Sequence, residues 1–165
     1  RELIDELWKN DPEMQQLAQQ YDERPANRIL SRKINEFDNS IPHNVAQRQF
    51  DMIRQIADSG ESAIFVGRCA DYALAGRPGL LRIFCRADLG QRIRRIEQRH
   101  NLSKKKAALL VAKTDRHRRV YYHHHTGQFW GHSSCYDLTV NTGVLGVEKT
   151  AETMEAFIRT FWEQD

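Results

Sequence analysis

Apolar residues recur every three or four positions over several long stretches of this chain, and between those stretches they gather into short runs. Near the start, Leu3, Leu7, Met14, Leu17 and Ala18 keep a rough helical spacing, interrupted at Pro12, which can begin a second helix at its first position. From about Tyr21 to Ile41 the pattern is lost in a polar connector marked by Pro25, Asn27, Asn39 and Pro42, and its middle is expected to be mobile. Val45, Ala46, Phe50, Ile53, Ile56 and Ala57 then predict an amphipathic helix closed by Gly60.

Beyond Gly60 the period changes. Ser62–Val66 and Leu80–Cys85 are short apolar runs next to glycine and proline, and both read as buried strands. Leu89, Ile93 and Ile96 return to helical spacing over Asp88–His100. Ser103 can cap a further helix running towards His124. Tyr136–Asn141 is a third strand candidate, and Glu148–Trp162 predicts a closing helix with Met154, Phe157, Ile158 and Phe161 on one face. Strands separated by helical segments predict an α/β layer with a mostly parallel sheet, because parallel neighbours require a crossover. Ligands of such sheets gather at the carboxyl ends of the strands, which points to the loops starting at Gly67, Arg86 and Asn141.

At 165 residues the chain fits one domain with a real core. No run approaches the roughly eighteen apolar residues of a membrane span, and Arg1–Asp5 does not resemble a signal peptide. Cys69, Cys85 and Cys135 are odd in number and widely spaced, which fits a reducing compartment better than a disulfide framework. A cytoplasmic location is the expectation. The net charge of +3 conceals an uneven distribution, for thirteen of the 25 lysines and arginines fall between Arg82 and Arg119, against Asp88, Glu97 and Asp115. Such a stretch suits a polyanion, either the phosphates of a nucleotide or a nucleic-acid backbone.

The first strand-end loop reads G-R-C-A-D-Y. Arg68 there can hold a phosphate bidentately, or it can pair with a carboxylate while Asp71 caps a short helix; spacing does not decide between them. Arg92, Arg95 and Arg99 form one stripe along the helix after the second loop, suited to lining a cleft or to facing solvent. Asp115 and Arg119 stand four apart, so Asp115 can orient Arg119, with Arg116 one turn away, either as an arm over a phosphate or as a plain salt-bridged helix. His117, His123, His124, His125 and His132 with Cys135 invite a metal reading. Consecutive helical residues point about 100° apart, however, so no metal site is expected. Phe129, Trp130 and Tyr136 read as core, and Lys104–Lys106 as solvated surface.

Taken in order, G-R-C-A-D-Y, the arginine-rich helix, D-R-x-R-R-x-Y-Y, T-G-Q-F-W-G and Y-D-L-T-V-N-T-G-x-L-G-V-E-K-T resemble the cytidylate kinase-like family of nucleoside-monophosphate kinases. The similarity runs from about Glu61 to the C-terminus, and residues 1–60 match loosely. It implies a three-layer P-loop NTPase-like parallel sheet flanked by helices, in a single kinase-like domain over residues 1–165 with a helical lid at about 100–135. It also implies ATP-dependent phosphoryl transfer to a nucleoside monophosphate, cytidylate first, with Mg2+ on the donor phosphates. By the same resemblance Arg68 and Asp71 bind the acceptor, and Arg92, Arg95, Asp115, Arg116 and Arg119 are the catalytic set at the opening and body of the lid. Asn141, Thr142 and Leu145 lie beside the donor adenine. The spacing of Arg68 and Asp71 departs from the adjacent Arg-Asp of cytidylate kinases, which loosens the assignment of a pyrimidine acceptor.

The nine glycines never combine into G-x-x-x-x-G-K-S/T or a near variant. The expectation is therefore that the first strand and the P-loop precede Arg1 and are missing from this chain. Two alternatives stay open: a catalytically silent relative that binds nucleotide or RNA through its basic stretch, and a kinase for another small acceptor.

Overall fold

In a computed structural model of the chain, which describes Pro12 and residues 36–163, the strongest helical spacing becomes helix α1 (Glu36–Asp58). Val45, Ala46, Gln49, Phe50 and Ile53 form its buried stripe, while Gln47, Arg48 and Asp51 between them face solvent. The helix begins earlier than its apolar pattern: residues 36–41, expected to be irregular, are helical, and Pro42 lies within the element. The expected N-terminal helices and most of the connector lie outside the described residues, apart from Pro12, which is helical and exposed.

Residues 61–66, expected to be a buried strand, form neither helix nor strand, and Ile64 and Val66 are 96% and 88% exposed. An apolar β-prone run becomes a strand only when a neighbour takes its backbone bonds, and among the described residues no strand pairs with it. After a left-handed turn at Gly67–Cys69 comes the single-turn helix α2 (Ala70–Ala73). Arg54 Nε donates to Ala73 O at 3.3 Å and Arg77 pairs with Asp58 at 2.7 Å, tying α2 and the following turn to α1.

Strands β1 (Ile83–Arg86) and β2 (Leu138–Asn141) pair in parallel, Ile83 opposite Leu138 through Arg86 opposite Asn141. Both are shorter than the apolar runs that announced them. Regular pairing stops at Arg82, whose O accepts from both Asp137 N and Leu138 N, at 2.9 and 3.2 Å, and whose N and Nη2 donate to the Asp137 carboxylate at 2.8 and 2.6 Å. Upstream, the 3-10 turn Ser133–Cys135 leads the chain away. The strands are also half-exposed rather than buried. Phe84 packs on Trp130 and Tyr136, at ring distances of 5.3 and 4.9 Å, whereas Phe129, read as core, is 70% exposed.

Helices α3 (Leu89–His100) and α4 (Lys104–Thr126) follow β1 as the spacing predicts. Helix α5 (Thr142–Trp162) starts directly after β2, six residues before the predicted Glu148, and is broken at Gly146, whose φ of 80° an L-residue rarely adopts. Its expected apolar face is only partly covered, for Met154, Ile158 and Phe161 are half-buried and Phe157 is exposed. The chain is thus α/β with a small parallel two-stranded sheet among the described residues. It divides into two compact units. One comprises residues up to Leu80 with His117–Gln128, the other Leu81–Arg116 with the chain from Phe129 onward.

Candidate functional site

In the first unit Gly67, Arg68 and Cys69 take successive φ values of 76°, 58° and 53°, a left-handed turn closed by Ala70 N donating to Gly67 O at 3.1 Å. Left-handed backbone costs an L-residue about 1–2 kcal/mol, so two such residues in a row must be held by their surroundings. Cys69, Ala70, Ala73 and Leu74 are buried, and Tyr72 N and Ala73 N both donate to Cys69 O, which anchors the turn from below. The turn leaves Arg68 half-buried, and burial pulls its guanidinium below the usual arginine value, an effect the neighbouring Tyr121 and Cys69 oppose. A guanidinium moved partly out of water in this way gains most from an anion placed against it.

Asp71, on α2, is fixed by the buried Tyr122, whose hydroxyl donates to Asp71 Oδ2 at 2.6 Å. Tyr122 Oη is also 3.2 Å from Gln128 Oε1. Next to it, Tyr121 Oη is 3.5 Å from Oε1 of the fully buried Gln49, and the Tyr121 ring lies 4.5 Å from that of His125. Phe50 stacks on both Tyr72 and His125. Asp71 is therefore no helix cap; it is bonded across 51 residues to the far end of α4.

In the second unit Arg92 donates to Asp115 at 2.5 Å, with side chains 32% and 14% exposed. Asp115 thus pairs with the arginine at the start of α3, not with Arg119 one turn along its own helix. Arg95, Arg99 and Arg116 are exposed, as is Arg119 in the first unit, so the expected stripe is engaged only at Arg92. At the carboxyl ends of the strands Asn141 Oδ1 caps Gly143 N at 3.1 Å and Thr142 Oγ1 donates to Arg86 O at 3.2 Å. Leu145 is exposed. Gln91 Nε2 donates to Gly143 O at 3.0 Å, and a Cβ at Gly143 would overlap that carboxamide.

Of the residues singled out in the sequence the structure pairs Arg92 with Asp115; Arg68 and Asp71 stand three residues apart on the turn and the short helix of the first unit, and Asn141 and Thr142 are neighbours at the start of α5 with separate partners. Sequence reasoning missed Tyr122, Gln128, Gln49 and Gln91. The tandem Tyr121-Tyr122 and the T-G-Q after a long helix were visible, but where their side chains lead is decided by tertiary contacts. Two of the histidines have ordinary partners: His123 Nδ1 lies 3.2 Å from Gln128 O and His132 Nδ1 2.8 Å from Ser134 Oγ. No helix among the described residues is long and apolar enough to cross a membrane.

No curated protein matches the chain. A solved structure of an uncharacterized protein from Eubacterium ventriosum is 30% identical, with a TM-score of 0.68, covering 71% of this chain and 73% of that one. The model of the cytidylate kinase-like family matches residues 1–144, taking in the N-terminal part whose resemblance was loose and ending inside α5. The chain belongs to the cytidylate kinase-like family.

Proposed function

We propose that this protein transfers a phosphoryl group from ATP to a nucleoside monophosphate, with cytidylate as the first acceptor to try, and that it does so on a three-layer P-loop kinase fold. Membership of the family supports a nucleotide kinase-like activity. The observation that carries the acceptor site is the half-buried Arg68 in a strained left-handed turn, three residues before a carboxylate that Tyr122 holds in place. Strained residues of that kind cluster at active sites and ligand clamps.

In this reading Arg68 binds the acceptor phosphate and Asp71 the nucleoside. An oxygen of the acceptor phosphate bonds to the γ-phosphorus of ATP as the bond to the bridging oxygen breaks, and ADP leaves with the electron pair. The acceptor oxygen is already ionised, so the protein's part is positioning and electrostatics. Arg92, steadied by Asp115, and the exposed Arg95, Arg116 and Arg119 offset charge on the transferred group. Asn141, Thr142 and Leu145 lie beside the donor base.

Magnesium, when bound, would neutralise charge between the donor phosphates. The carboxylate nearest the carboxyl ends of the strands is otherwise engaged, Asp88 facing Arg86 at 3.6 Å. That fits an ion carried largely by the nucleotide, as magnesium in phosphoryl-transfer sites usually is.

The test is a coupled assay of the full-length gene product with ATP, magnesium and each nucleoside monophosphate. Turnover is expected with one acceptor, and Arg68→Ala should raise that acceptor's KM and lower kcat. Unchanged kinetics in the variant would remove Arg68 from the site. A second reading, binding of an extended nucleic acid, is favoured by the exposed Lys104–Lys106, Arg94, Arg95 and Arg99. It requires affinity that falls steeply with salt, whereas a mononucleotide site saturates at one equivalent.

A further inference from the structure

Helix α4 ends in a device that returns one side chain to Asp71. Gly127, at φ 69°, turns the chain, with its N–H on His123 O at 2.9 Å. Thr126 Oγ1 donates to Tyr122 O at 2.7 Å and accepts from Gln128 N at 3.0 Å, and His123 Nδ1 meets Gln128 O at 3.2 Å. Both backbone groups of Gln128 are thereby fixed, and its exposed side chain reaches Tyr122 Oη.

Tyr122 has one proton and two neighbours that would accept it. The bond to Asp71 Oδ2 is the shorter, 2.6 Å against 3.2 Å, and a carboxylate is the stronger acceptor. The proton goes to Asp71. A half-turn of the Gln128 carboxamide about its last bond then satisfies the whole chain: its NH2 donates to Tyr122 Oη and its carbonyl oxygen turns outward. Asp71 Oδ1, unbonded among the described residues, is an acceptor on the same network.

We propose that Gln128 is a specificity-determining residue, its carbonyl acting with Asp71 Oδ1 as a pair of acceptors that read N–H or O–H donors on the bound nucleoside. This rests on the acceptor-site reading of Arg68 and Asp71. Three groups of a nucleotide carry such donors: the amino group of a base, the ring N–H of uracil or guanine, and the hydroxyls of a ribose.

The experiment measures calorimetric binding of CMP, UMP, dCMP and inorganic phosphate to the full-length protein and to its Gln128→Leu variant. The wild type is expected to prefer CMP over UMP if the amino group is read, UMP over CMP if the ring N–H is read, or CMP over dCMP if the 2′-hydroxyl is read. Gln128→Leu is expected to reduce that preference about tenfold while phosphate binding changes less than about twofold. Equal ratios in the two proteins, or no preference in the wild type, would overturn the role of Gln128 and leave the acceptor site standing. A wild type that binds neither phosphate nor any of the three nucleotides would overturn the acceptor site itself, and this inference with it.

Discussion

Asp115 pairs with Arg92, 23 residues earlier in the chain, although Arg119 stands one turn away on the same helix. The choice follows from solvent: Asp115 is 14% exposed in the pair, and a half-buried Arg92 loses less to water than the exposed Arg119. A double-mutant cycle on Arg92→Ala and Asp115→Ala should give a coupling of about 1 kcal/mol at low salt. The same cycle on Asp115 and Arg119 should give a coupling near zero. Equal couplings would return Asp115 to its own helix.

The left-handed turn separates backbone from chemistry at Arg68. Glycine accepts φ 58° without the penalty that any Cβ incurs, so Arg68→Gly should be more stable than Arg68→Ala by about 1 kcal/mol. Both variants lose the guanidinium and should lose phosphate binding alike. Equal denaturation midpoints for the two would show that the turn carries no strain.

The helices were legible from spacing because amphipathic periodicity is local: Val45 through Ile53 and Leu89 through Ile96 announce their buried faces without reference to anything distant. Ser62–Val66 looked as strand-like as Leu80–Cys85, yet among the described residues only the latter region has a parallel partner, because pairing depends on residues far away in sequence. The site divides in the same way. Arg68 and Asp71 stood out by their place after an apolar run, whereas Tyr122 and Gln128 enter through bonds that only the folded chain makes. The left-handed φ of Gly146, which breaks α5 in two, has no marker in the hydrophobic pattern.

The hydrogen bonds from Arg82, and then its charge, hold the Asp137 carboxyl below the usual carboxylate range. A carboxyl with a lower pKa in the folded state adds stability above its unfolded pKa of about 3.9 and loses it as pH falls through the folded value. Asp137→Asn should therefore be less stable than wild type at pH 7. The gap, measured by urea denaturation from pH 7 to pH 2.5, should narrow only below about pH 4. Asp58, lowered by its bond to Arg77, titrates in the same window in both proteins and cancels in the difference. A gap independent of pH would mean that Asp137 contributes by shape alone.

Gly143 and Gln91 give the second unit a test of its own. An alanine at residue 143 has no backbone penalty to meet, since that glycine's φ is not left-handed, but its Cβ would occupy the space of the Gln91 carboxamide. The flexible glutamine can swing away, at the expense of its bond to Gly143 O. Gly143→Ala should thus be less stable by about 1 kcal/mol, the usual net worth of one such hydrogen bond. Gln91→Ala should lower stability by a similar amount for the same reason. The double variant, having neither overlap nor bond left to lose, should be no less stable than either single change. Strictly additive losses would show that the two residues act separately and that Gln91 does not fix the start of α5.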